Sequence, residues 1–364
     1  MNLGLVVPGF SADATDWCIP ALRHFVRTLN PDDTRVFAVR YPYYVDRYCI
    51  DSADVIALGG ADRQGPRTPL LWQRTLQTIA AEHRRRPFDV LHAFWATESG
   101  LLAALAGRVL RVPVLVSLAG GELVALPDIG YGDQRRPWER LKIAAALRLA
   151  SAVSAGSRYL VGLAQRRVRR RVEWLPLGVD TRMFRLSERP RERDALLHVG
   201  TLTPVKDQRS LLAAFAQLRQ RRPDTTLTIV GDGPLRRNLH TFAAELGLNG
   251  GVRFVGARDH GELAAIYQSA STFVLSSRHE AQGMVALEAA SCGLPVVGTR
   301  VGNMPELTPD TCAPVGDSRA LTARIEQVLQ RDTGEATPRQ IIESTFTLEH
   351  SVRRFRSCYA QLAC

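Results

Sequence analysis

The sequence predicts an α/β protein with two doubly wound parallel sheets. Short apolar runs alternate with helical patterns, joined by short loops, as βαβ units require. That alternation restarts after residue 180. The 364 residues also exceed the size at which one hydrophobic core stops growing, so two domains are expected.

The elements follow in order. In the first half, strand-like runs fall at Leu3–Val7, Arg35–Val39, Val90–His92, Val112–Leu118 and Ala152–Ser154. Helical patterns lie between and after them at Pro20–Leu29, Leu70–Arg85, Glu98–Leu110, Pro137–Ala150 and Arg158–Arg166. Pro176–Pro190 carries turn residues and charge, which suits a linker. In the second half, strands are expected at Leu196–Val199, Thr226–Val230, Val252–Val255, Thr272–Leu275 and Pro295–Thr299. Helices are expected at Gln208–Gln220, Gly233–Leu246, His260–Ser269, Val285–Cys292 and Ser318–Gln330. Ligands of such sheets bind outside the carboxyl ends of the strands, so two facing sheets would form an interdomain cleft.

The segment from Glu280 to Glu288 carries the strongest chemistry. A strand precedes it, Gly283 stands at its centre, and a run of helix formers follows. A loop that opens a helix presents free N–H groups and a positive dipole end to an anion. With two carboxylates beside it for hydroxyl groups, such a site suits a nucleotide sugar.

Composition narrows the classes. Hydrophobic residues make up 45% of the chain, which argues against disorder. The absence of an apolar stretch of about 18 residues argues against a spanning helix. The start runs from Met1 into a strand with no basic leader, which argues against a signal peptide. Six scattered cysteines without a CxxC pair suit reduced thiols in a cytoplasm, neither a disulfide framework nor a zinc site. No HExxH or carboxylate–histidine spacing suggests a metal, and no GxGxxG or Walker A motif is present. Gly9 gives only a lone glycine loop after the first strand, and Gly231-Asp232-Gly233-Pro234 reads as a turn.

Charge is uneven. Residues 1–185 hold 26 Lys and Arg against 17 Asp and Glu, leaving 21 against 19 in the remainder. Arginine-biased surface composition explains any single cluster, since Lys142 and Lys206 are the only lysines. For the whole half an anionic membrane is the favoured reading. Pro137–Ala150 carries Trp138, Leu141, Ile143 and Leu147, with Arg135, Arg136, Arg140, Lys142 and Arg148 beside them. Such a helix either rests on a bilayer or packs on its own sheet. Nucleic acid is not expected, because no binding motif or aromatic interleaving accompanies the charge.

In order, several segments resemble the retaining glycosyltransferases of family 4. His198-Val199-Gly200-Thr201-Leu202-Thr203-Pro204-Val205-Lys206-Asp207 resembles that family's first donor-phosphate motif. Val230–Leu235 resembles its second strand turn, and Val252–Gly256 its nucleobase loop. Ser277–Glu288 and Cys292–Val297 resemble its paired-glutamate signature, and Trp174–Asp180 with Phe184 its interdomain segment. The resemblance implies the GT-B fold, with two Rossmann-like domains. Residues 1–180 would bind acceptor and 181–345 the donor, with a helix at 346–364 returning to the first domain. It implies hexose transfer from a UDP- or GDP-sugar, with no cofactor or metal, by front-face attack assisted by the departing diphosphate. The acceptor would be a glycan or lipid-linked, and the enzyme cytoplasmic at the inner face of the plasma membrane. A catalytically silent sugar-nucleotide-binding partner and a nucleotide-sugar epimerase are the alternatives.

The resemblance also assigns roles. Lys206 would bind the diphosphate, Glu288 the ribose hydroxyls, and Glu280 the transferred sugar. The amides of Met284 and Val285, after Gly283, would take phosphate. Gly9, Thr201, Gly256 and Arg258 complete the expected donor ligands. Two departures stand out. Thr201 occupies the place of the family's arginine, leaving Arg278 or Arg300 as the substitute cation. Ala119-Gly120 replaces its His-Gly pair, so Glu122 and His92 become the candidate polar groups, His92 equally readable as structural. Asn303 replaces the second glycine of a Gly-Gly turn and tolerates a left-handed backbone.

Overall fold

The computed structural model describes residues 1–29, 33–62, 65–187, 191–330 and 338–364. Two units partition the chain. Met1–Gly178 and Leu348–Cys364 form the first, and Val179–Thr347 the second.

The first unit holds strands β1 (Leu3–Gly9), β2 (Thr34–Tyr41), β3 (Val45–Ile50), β4 (Ala53–Leu58), β5 (Val90–Phe94), β6 (Val114–Leu118), β7 (Ala152–Ala155) and β8 (Val172–Trp174). They lie in the order β3-β4-β2-β1-β5-β6-β7-β8, parallel except for β3. Its helices are α1 (Pro20–Leu29), α2 (Thr68–Arg85), α3 (Glu98–Leu110), α4 (Pro137–Leu149) and α5 (Arg158–Gln165). β1, β5 and β6 are buried almost throughout, because helices cover both faces of a parallel sheet. α1 turns Leu22, Phe25, Val26 and Leu29 inward at helical spacing.

Several elements depart from the sequence reading, two of them for plain physical reasons. The β3–β4 hairpin was not expected. β3 is an exposed edge strand, and its turn uses Asp51 and Ser52, both at positive φ, where glycine is the usual signal. Val112–Leu118 shortens to Val114–Leu118, since Arg111 caps α3 in the left-handed region and Pro113 cannot donate to a ladder.

The second unit holds β9 (Ala195–Val199), β10 (Thr226–Val230), β11 (Val252–Gly256), β12 (Thr272–Leu275), β13 (Val296–Thr299) and β14 (Cys312–Ala313), all parallel. Its helices are α6 (Gln208–Arg221), α7 (Arg236–Glu245), α8 (Leu263–Ser269), α9 (Met284–Ser291), α10 (Met304–Leu307), α11 (Ser318–Leu329) and α12 (Pro338–Ile341). The order β11-β10-β9-β12-β13-β14 reverses direction between β9 and β12. A switch point of this kind opens a crevice at the carboxyl ends of those two strands. Residues 188–190 of the expected linker lie outside the described residues. The part before them is packed, with Phe184 buried against His260 and Tyr267 at 5.3 and 5.8 Å between ring centroids.

A last helix, α13 (Leu348–Ala363), belongs to the first unit. It places Val352, Phe355 and Tyr359 in the core with Phe25 and Phe94. Among the described residues, no helix is long and apolar enough to cross a membrane.

Candidate functional site

The loops after β9, β10 and β11 are stitched together by backbone. Gly200 N donates to Val230 O at 3.0 Å, and Leu202 N to Asp232 O at 2.9 Å. Gly231 N donates to Gly256 O at 2.8 Å. Gly231 is required here, because its φ is 131° and a side chain would collide with the Gly200 carbonyl. The Gly-Asp-Gly-Pro turn thus shapes the loop that carries Lys206.

Lys206 closes a single 3-10 turn, Pro204–Lys206, at the carboxyl end of β9. Glu280 follows β12 on the other side of the switch point. Lys206 Nζ donates to Glu280 Oε1 at 2.6 Å, and Ser277 Oγ donates to the same oxygen at 2.6 Å. Burial opposes the charge on Glu280, but Lys206 and Ser277 outweigh it and hold the carboxyl below its usual range. Arg278 N donates to Val205 O, and Ser276 Oγ to Lys206 O, which ties the β12 loop to the Lys206 turn.

α9 opens just beyond. Gly283 caps it at φ 81°, and the first amides, of Met284 and Val285, have no partner within the helix. Glu288 lies one turn further in, buried, accepting from Tyr267 Oη at 2.9 Å. Burial pushes its carboxyl up to about 7 against that hydrogen bond. Gly302 takes the left-handed conformation at φ 56°, and Asn303 sits at φ −89°, so no glycine substitute is needed there. Asn303 N donates to Gln282 O at 2.9 Å, while its buried amide has no hydrogen-bond partner.

Sequence reasoning missed His198 and Gln208. His198 is fully buried in β9, with Nδ1 3.0 Å from Val274 O and Nε2 3.2 Å from Gln208 Nε2. Gln208 Nε2 donates at 2.9 Å to Thr201 O. Burial, aided by Lys206, pushes His198 down to about 4 against the Val274 carbonyl and Glu280. A neutral imidazole therefore props the Gly200–Lys206 loop through one amide. The signal was a polar residue inside the apolar run of β9. Arg258 and Arg300 are exposed after β11 and β13, and Gly256 ends β11 at φ 76°.

Gly9, His92 and Glu122 lie in the first unit. Gly9 ends β1 against Tyr41. His92 does not present itself at the strand end as a catalytic role requires. It is fully buried, its Nδ1 and Nε2 each 2.7 Å from Tyr359 Oη and Ser117 Oγ. Burial pushes it down to about 3, so it stays neutral and structural. Glu122 is likewise interior. It accepts from the amides of Ala96, Ala119 and Gly120 at 3.2, 3.1 and 2.7 Å and fastens the β5 and β6 loops together. Burial raises its carboxyl despite those amides. Gly120 and Gly121 admit aromatic neighbours, Trp95 on one and Tyr131 on the other.

α4 divides its apolar residues. Ile143 and Leu147 are buried, whereas Trp138 and Leu141 are about three-fifths exposed at 60% and 63%. Lys142 is not a surface cation: it is 2% exposed and paired with Glu139 at 2.7 Å.

Residues 180–346 match the family model for glycosyl transferases group 1. A D-inositol 3-phosphate glycosyltransferase of Frankia alni is 32% identical over 257 residues, 63% of this chain and 62% of that one. The chain spans less than two thirds of the length of that relative and of the other first relatives it matches. Sucrose-phosphate synthase of Thermosynechococcus elongatus superposes with a TM-score of 0.80 at 22% identity, covering 100% and 99% of the two chains. Anabaena Alr3699/HepE, solved with UDP and glucose, gives 0.76 at 20% identity over 98% of each. At these identities the structures show a shared fold.

Proposed function

From the membership of residues 180–346 in the glycosyl transferases group 1, we propose that the chain transfers a hexose from a nucleotide diphosphate sugar to an acceptor hydroxyl, with retention. The observation that carries this reading is the Lys206–Glu280 pair across the β9/β12 switch point, beside the start of α9. An ammonium has three donors, and Glu280 takes one, leaving two for the donor diphosphate. The Met284 and Val285 amides add a second anion contact, so leaving-group charge meets fixed donors rather than water. Glu288 accepts from the ribose hydroxyls, and Glu280 orients the transferred sugar. The departing diphosphate takes the acceptor proton on the same face, so the chemistry rests on orientation and electrostatics.

UDP is the first donor nucleotide to test, because Anabaena Alr3699/HepE was solved with it. The first unit takes a glycan or lipid-linked acceptor, with peripheral contact to anionic membrane at the cytoplasmic face. A sugar-nucleotide-binding protein without turnover is the competing reading, favoured by Thr201 and by the interior placement of His92 and Glu122. Donor screening by thermal shift finds the cognate nucleotide sugar, since a ligand of the folded state raises stability. Release of nucleoside diphosphate from that donor then decides. Binding without any release, across saccharide and lipid acceptors, sinks the transferase reading.

A further inference from the structure

A groove of about 500 Å³ lies in the first unit between α4 and the segment after α5. Its floor is apolar, with Ile143, Leu147 and Val168 each under 8% exposed. Its rim carries Arg140, Arg148, Arg167 and Arg169, all exposed. None of the four makes an ion pair among the described residues. Several other arginines of this unit are paired, Arg23 with Asp51, Arg35 with Glu82, Arg40 with Glu98 and Arg47 with Asp54. Four uncompensated guanidinium groups around one apolar trough repel one another and gain from an anion. An anion alone would leave the floor wet, and a neutral chain alone would leave the charges unmatched.

We propose that this groove binds an anionic amphiphile, a lipid with its chain on the floor and its phosphate among the arginines. Exposed Leu141 lines the adjoining hollow, and Trp138 stands one turn before it on the same helix. Both suit the apolar side of such a molecule. At its other end the groove reaches Leu123 and Gln134. Gln134 Nε2 donates at 2.6 Å to the carbonyl of Glu122, the residue that fastens the β6 loop. The groove therefore ends beside the β6 loop, in the unit to which the proposed function assigns the acceptor. The inference deepens that acceptor reading, but the binding itself is measured without donor or turnover.

Dihexanoyl phosphatidylglycerol, kept below its micelle concentration, is titrated calorimetrically into the full chain. Dihexanoyl phosphatidylcholine and glycerol 3-phosphate are the two comparison probes. Saturable binding of the phosphatidylglycerol is expected, with each comparison probe about ten-fold weaker or more, since both charge and chain contribute. Ala144→Phe fills the groove mouth at an exposed position without touching a charge. The pair Arg167→Glu and Arg169→Glu reverses charge at exposed positions. Each is expected to weaken binding about ten-fold while leaving the thermal transition in place. Equal binding of glycerol 3-phosphate would overturn the proposal in favour of a bare anion site. Binding to phosphatidylglycerol vesicles alone, indifferent to Ala144→Phe, would overturn it in favour of a diffuse charged surface. Loss of nucleotide-sugar turnover with lipid binding intact would refute the transferase reading and leave this one standing.

Discussion

Donor binding should depend on pH through Glu288. Burial pushes this carboxyl up to about 7, with Tyr267 Oη pulling the other way. Ribose hydroxyls donate to a carboxylate, so the bound nucleoside selects the ionised form. With a midpoint near 7, about one molecule in eleven is ionised at about pH 6, and about ten in eleven at about pH 8. Affinity should therefore rise roughly ten-fold between those two values and flatten above. The probe is an intact nucleotide diphosphate sugar, because a terminal phosphate has its own ionisation near pH 6. Titration calorimetry in two buffers of different ionisation enthalpy reads both affinity and the proton released on binding. Glu288→Gln keeps the shape and the Tyr267 contact but removes the titration, so its weaker binding should be flat across the range. A flat profile for the parent, or a parent-like slope in Glu288→Gln, would refute the reasoning.

The same carboxyl shapes stability. Between its ordinary value and about 7 the folded protein keeps a proton that the unfolded chain has lost. Its favourable contribution is complete below the ordinary carboxylate range and declines as pH rises toward about 7. The total decline is about 3 kcal/mol. The stability of Glu288→Gln relative to the parent should grow by that order between about pH 5 and 7 in urea melts.

Lys206→Ala should reduce turnover by on the order of 10²–10³ and leave Glu280 buried without its cation; unchanged steady-state kinetics would remove Lys206 from the site. Gly231→Ala forces a side chain against the Gly200 carbonyl at φ 131°, so it should lower stability by about 1–3 kcal/mol and weaken donor binding; a neutral melt would contradict the loop geometry. Gln208→Met keeps volume but strips the amide between His198 and Thr201. It should raise donor KM several-fold more than it lowers kcat, and a pure kcat loss would point to a direct catalytic role instead.

Strands β9 to β13 of the second unit were legible because each is an apolar run closed by a turn and followed by a helical pattern, whereas the two residues of β14 are too few to show one. β3 was not, since an exposed edge strand alternates with charge and its Asp51-Ser52 turn lacks the expected glycine. β8 has only three residues, too few for a period. Lys206, Glu280 and Glu288 stood out by order and spacing, but their partners did not. Tyr267 approaches Glu288 from another helix, and Gln208 and His198 meet across a loop. His92 shows the limit from the other side. A histidine closing an apolar strand reads alike whether it faces substrate or a tyrosine 267 residues away. Lys142 was readable after all. It lies on the α4 stripe with Glu139, Ile143, Ala146 and Leu147, the spacing of a buried face.

The return of α13 to the first unit makes the second unit an insertion. The second unit is one uninterrupted segment, Val179–Thr347, with every strand of its sheet inside it. The first unit is split, and its core needs Phe355 and Tyr359 from beyond the insertion. During synthesis the first 178 residues therefore emerge without the helix that partners His92 Nδ1 and covers Phe25 at 4.7 Å between rings. The inserted unit can complete its own core first, and the N-terminal sheet waits with an apolar face open. Chaperone dependence should accordingly fall on the half that is made first and finished last.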